Sequence, residues 1–112
     1  MPETVAYRYV ADGEVAVIRA STPQVVPKQN AEGKPKIIYF TWDLYTSASV
    51  AEVALQIGTF HPGVATDIPT DRLDLDVSGI SYIFTGTVPG GTGTQLTTYD
   101  SPLVTAITVL GP

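Results

Sequence analysis

Cysteine is absent from this chain, which excludes disulfide staples, thiolate nucleophiles and the Cys-based zinc sites. Histidine is almost as scarce. The 1 histidine, His61, sits beside Pro62-Gly63, where it reads as a turn residue, and no metal site of the usual His and Cys spacing can be built around it. A Ser-His-Asp triad would need this same residue, and no nucleophile-elbow serine accompanies it. Basic residues are also few: Lys and Arg total 6 against 11 Asp and Glu, for a net charge of -5. Tight binding to a phosphate backbone is therefore not expected, and a basic protein surface is the more natural partner. No apolar run approaches the roughly 18 residues of a membrane span, and the polar start Met1-Pro2-Glu3-Thr4 is unlike a signal peptide. No membrane partner is expected.

What remains is a chain of 112 residues, 44% hydrophobic, with material for a single core and no internal repeat or linker. Thr4 to Val10 alternates as a strand, with Arg8 among apolar neighbours and so placed to enter a site or meet an acid. Asp12 is an N-cap for a short helix over Gly13 to Ala20, and Ser21 to Lys36 reads as a Pro- and Lys-containing surface loop. Lys36 to Thr41 is a buried strand. Ser49 and Glu52 form a capping box for a second helix whose Val50, Val53, Ala54 and Ile57 face inward before Gly58 stops it. Arg72 to Val77 and Ile80 to Thr85 are strands able to pair through the turn at Gly79, and Leu103 to Leu110 is a final strand buried on both faces. The sum is an α+β fold with a split, mostly antiparallel sheet and two short helices.

Several segments suggest chemistry. Asp74 and Asp76 resemble a carboxylate pair, but their alternation with Leu73, Leu75 and Val77 reads as a solvated strand face. Gly90-Gly91-Thr92-Gly93 lacks the Lys-Ser or Lys-Thr of a phosphate loop and leads into strand-like sequence, so by itself it is a flexible connection. The segment Tyr39 to Ser49 gathers aromatics and hydroxyls at a strand end and helix start. There rings can stack on a flat ligand and backbone N–H groups can face an anion, or the same residues can form an aromatic core with a capped helix.

Taken in order, Tyr7-Arg8-Tyr9, Tyr39-Phe40-Thr41 with Tyr45-Thr46-Ser47-Ala48-Ser49, and Gly90-Gly91-Thr92-Gly93-Thr94-Gln95 resemble the three motifs of small ADP-ribosyltransferase-fold toxin domains of bacterial polymorphic toxins. The resemblance implies an NAD-dependent transferase or NAD glycohydrolase. Under it, Arg8 holds the dinucleotide, Tyr39, Phe40, Thr41 and Tyr45 line the nicotinamide pocket, Thr46 and Ser47 support it, and Gln95 takes the catalytic position. It further implies NAD as substrate, no metal, a macromolecular acceptor such as a protein, a cognate immunity protein, and secretion or delivery into a target-cell cytoplasm. The family's third motif ends in Glu, whereas this chain has Gln95. An amide neither offsets oxocarbenium charge nor accepts a proton, so a loss of around 100-fold in rate is expected. A deliberate inactivating change is the preferred account of Gln95, beside a naturally degenerate relative and a shifted motif in which Asp100 acts. The alternative class is a non-enzymatic β-rich binding or assembly module, such as a phage structural component, suggested by the Thr, Val, Pro and Gly content.

Overall fold

A computed structural model describes residues 4–11, 15, 38–57 and 68–111. Within them run β1 (Val5–Val10), β2 (Ile38–Phe40), α1 (Ala48–Leu55), β3 (Asp71–Asp76), β4 (Phe84–Thr87), β5 (Thr94–Thr98) and β6 (Leu103–Val109). The strands form two three-stranded antiparallel sheets, ordered β1-β3-β6 and β2-β5-β4. A seam joins them at Tyr7 and Thr41, whose backbones exchange two hydrogen bonds of 2.8 Å.

The period of two seen in the sequence explains the core. Leu73, Leu75 and Val77 alternate with half-buried Arg72, Asp74 and Asp76, and the inward set meets Ala6 and Val10 from β1. Ile38, Phe40 and Leu96 close the cluster from the second sheet, and Trp42, Ile80, Ile83, Val104 and Ile107 pack around it. Leu73, Leu75 and Leu96 are wholly enclosed, and burying one leucine side chain contributes about 1.5–3 kcal/mol.

Five expectations need correction. The strand read over 36–41 is not buried throughout: in Ile38–Phe40 the first and last residues are buried and Tyr39 faces solvent. The strands near 72–77 and 80–85 do not pair. Asp76 Oδ1 accepts both the backbone N–H and the hydroxyl of Ser78, turning the chain out of β3, and β4 begins only at Phe84 in the other sheet. Alternation specified which face of β3 is buried, and carried no information about its partners, which are β1 and β6. The last strand is not enclosed on both faces. As the edge of its sheet, β6 leaves Leu103, Thr105, Ala106, Thr108 and Val109 exposed, and only Val104 and Ile107 pack on the core.

The remaining two corrections concern α1. Its N-cap is Ser47, whose Oγ accepts the N–H of Val50, and its C-cap is Gln56 in the left-handed region, not Gly58. Its inward face carries Ala51, Glu52 and Ala54, while Val50 and Val53 are exposed. The glycine loop lies against the last turn at Ala54 O and the Leu55 side chain, leaving Val50 and Val53 uncovered. The helix expected over 13–20 lies outside the described residues apart from Val15, which is buried, and His61 and the loops around it also lie outside them.

Candidate functional site

The region between Tyr39 and Ser49 is organised by Asp43, which follows β2 on the way to α1. Its Oδ2 accepts the backbone N–H of Thr94 at 2.6 Å, the Thr94 hydroxyl at 3.0 Å, the Thr41 hydroxyl at 3.1 Å and the Tyr45 hydroxyl at 3.4 Å. The Asp43 N–H returns a bond to Thr41 Oγ1 at 3.0 Å. The Thr41 and Thr94 hydroxyl oxygens are also 3.0 Å apart, but each has one proton and both protons are drawn toward the carboxylate. Tyr9 completes the cluster: its hydroxyl donates to the Asp43 carbonyl at 2.8 Å and accepts the Tyr45 N–H at 2.5 Å, with the two rings 5.5 Å apart.

Burial would by itself raise the Asp43 pKa, but the bonds from Thr94, Thr41 and Tyr45 outweigh it and hold the carboxyl below its usual range. Burial pushes the Tyr9 hydroxyl up to about 12, and Tyr45 is raised by burial and then by the Asp43 charge. At neutral pH the cluster is thus one fixed anion with two protonated phenols. That is a poor acid–base pair and a good clasp, tying β1, the exit of β2, the approach to α1 and the start of β5 together.

Both ends of α1 are occupied by the protein itself. At its N-terminus the Ala48 N–H donates to Gly111 O at 2.8 Å, Val50 N–H to Ser47 Oγ at 3.4 Å and Ala51 N–H to Ser47 O at 3.1 Å. These N–H groups are therefore not left facing an incoming anion. At the C-terminus Ala54 O accepts Thr92 N–H at 3.1 Å and Gly93 N–H at 2.9 Å. The Gly90 to Gly93 run is thus a capping loop seated on the helix. A Cβ on Gly91 would stand 2.2 Å from Ala54 O, and one on Gly93 would stand 2.6 Å from Leu55 Cδ2, while Gly90 has φ +78°. Glycine is required here by close approach and left-handed backbone.

The residues singled out from the sequence divide between two surfaces. Thr41 and Tyr45 belong to the Asp43 cluster, Phe40 is in the core, and Ser47 caps α1 beside exposed Thr46. Arg8 shares the core-facing side of β1 with Ala6 and Val10, and its Nη1 emerges to donate to Tyr39 O at 2.6 Å. Gln95 pairs with Gly86, one residue along β5 from Thr94, so its side chain leaves the opposite face from the one bonded to Asp43. Tyr39 stands on that same outer face, opposite Thr97. Asp100 donates its N–H to Thr98 Oγ1 and lines a separate recess of about 410 Å³ with Asp76, Ser78 and Leu103. The carboxylates suspected as a pair have local duties: Asp74 bonds Arg72 at 3.0 Å, and Asp76 holds the Ser78 turn.

The sequence reading missed Asp43 and the outer face of the second sheet. The triplet Thr41-Trp42-Asp43 held a usable signal, since a hydroxyl two residues before an Asp often bonds its N–H. Nothing local pointed to Thr94, 51 residues away. No family model, curated protein or solved structure matches this chain.

Proposed function

We propose that this chain is a non-enzymatic binding module that works through the outer face of the β2-β5-β4 sheet. One observation carries the reading. Four aromatic residues are exposed among the described residues, Tyr39 (54%), Tyr82 (67%), Phe84 (52%) and Tyr99 (54%), and all belong to this face or its end. Apolar rings concentrated on one face mark a surface built for contact. The polar cluster elsewhere in the fold is consumed by structural bonds, which favours binding over chemistry.

A second reading keeps the ADP-ribosyltransferase resemblance, with its split sheet and NAD as substrate. It is supported by the bond from Arg8 to Tyr39 O, which joins residues of the first two motifs, and by Gln95 sharing a face with Tyr39. The two readings separate on NAD. For a binding module, NAD leaves the melting temperature unchanged, and neither the chain nor Gln95→Glu consumes it. For a transferase, NAD raises the melting temperature by mass action, and Gln95→Glu gains nicotinamide release. Gain of turnover in that variant overturns the binding-module proposal.

A further inference from the structure

The antiparallel registers place Tyr39 opposite Thr97 and Thr97 opposite Phe84, so these three form one row across the outer face. The two rings therefore stand on strands about 10 Å apart, with the Thr97 hydroxyl between them. Tyr82 packs on Phe84 with ring centroids 5.0 Å apart and deepens that wall. Thr98 Oγ1 donates to Tyr82 O at 3.0 Å, holding this approach to β4 beside the end of β5, where Tyr99 is exposed. One step along the floor is Gln95, and the position paired with it on β4 is Gly86, where an added Cβ would meet nothing within 4 Å. The register thus sets aromatic residues on either side of a hydroxyl, with an amide and an unfilled position one step along, an arrangement that reads as a shallow trough.

We infer that this trough binds a neutral oligosaccharide, its sugar rings lying against Tyr39 and the Tyr82–Phe84 pair and its hydroxyls bonded to Gln95 and Thr97. This rests on the binding-module reading and names its ligand class. Three features select the occupant. The apolar C–H faces of a pyranose ring suit an aromatic surface. A primary amide and a hydroxyl each offer donor and acceptor together, matching sugar hydroxyls that do the same, whereas an extended proline-rich peptide offers mainly carbonyl acceptors. None of Tyr39, Gln95, Phe84, Gly86 and Thr97 carries charge. Arg8, bonded to Tyr39 O, brings one cation to the edge of a chain of net charge -5, which is short of the basic groove that a single-stranded nucleic acid needs despite the stacking rings.

The test is a titration by calorimetry and amide NMR with cellohexaose, xylohexaose, maltohexaose and chitohexaose, alongside a proline decamer and a thymidine decamer. Saccharide binding is expected to shift the β5 amides, to weaken roughly tenfold in each of Tyr39→Ala, Phe84→Ala and Gln95→Ala, and to be unchanged in Val109→Ala on β6. The three weakened positions are solvent-facing, and an unchanged amide spectrum elsewhere separates lost binding from lost folding. Binding of the proline or thymidine decamer at this face with no saccharide bound overturns the sugar assignment and leaves the binding-module reading standing. Saccharide binding unaffected by all three substitutions also overturns the trough. No saccharide of the panel bound overturns the sugar assignment, and NAD turnover in Gln95→Glu overturns the binding-module reading with it.

Discussion

Replacing Asp43 by Asn changes one atom and removes the charge on which the clasp depends. Oriented with its amide oxygen in the place of Oδ2, Asn can still accept from Thr94, Thr41 and Tyr45, but as a neutral acceptor. Bonds to a charged group are worth about 1.5–3 kcal/mol and neutral ones about 0.5–1.5, so the change should cost about 1–2 kcal/mol. Asp43→Ala goes further. The Thr41 and Thr94 hydroxyls, 3.0 Å apart, can bond each other, but the Thr94 N–H loses its acceptor, and a total near 3 kcal/mol follows. The assay is urea unfolding followed by far-UV circular dichroism. With a slope of roughly 1.5 kcal/mol per molar, the midpoint should fall by about 1 M for Asp43→Asn and about 2 M for Asp43→Ala. The pH dependence supplies the sharper check. Because the folded-state pKa of Asp43 is depressed, its stabilisation is complete above the unfolded carboxyl pKa, near 4, and is lost as pH falls through the folded value. The stability gap between the parent and the Asp43→Asn variant should therefore close on acidification. A gap that is constant with pH, or an Asp43→Ala variant within about 0.5 kcal/mol of the parent at pH 7, would refute the electrostatic account of the clasp.

Gly91→Ala should destabilise by about 1–3 kcal/mol in thermal melts, because its methyl would overlap Ala54 O and lift the loop from the end of α1. Tyr9→Phe removes both the donor to the Asp43 carbonyl and the acceptor of the Tyr45 N–H, and should cost about 1–3 kcal/mol in the same unfolding assay. In the parent protein, ultraviolet titration should show one tyrosine ionising only near pH 12, and its disappearance in Tyr9→Phe identifies it. Val50→Ala and Val53→Ala should each change stability by no more than about 0.5 kcal/mol, since both side chains are in solvent. Losses of about 2 kcal/mol there would mean that the helix buries the valine face after all.

Strand positions were legible at Val5–Val10 and Asp71–Asp76, and in Asp71–Asp76 a period of two writes burial directly into the residue order. The helix was legible as an element and misread as a surface. Val50 and Val53 look inward by hydrophobicity, yet the loop settles against Ala54 O and the Leu55 side chain and leaves both valines exposed. The same loop shows how composition can point to the wrong cause. Three glycines in four residues read as freedom, whereas two of them donate or pack at Ala54 O and hold the chain in one place.

The sequence alone determined the excluded chemistry, the acidic charge balance and the alternation of Val5–Val10 and Asp71–Asp76, since these depend only on which residues are present and on neighbours one or two positions apart. Only the tertiary structure decided which strands pair, that Asp43 meets Thr94, and that Tyr39, Thr97 and Phe84 fall in one row. Those outcomes depend on strand order and register across long stretches of chain, and backbone hydrogen bonds are chemically the same at every position, so no local pattern encodes them.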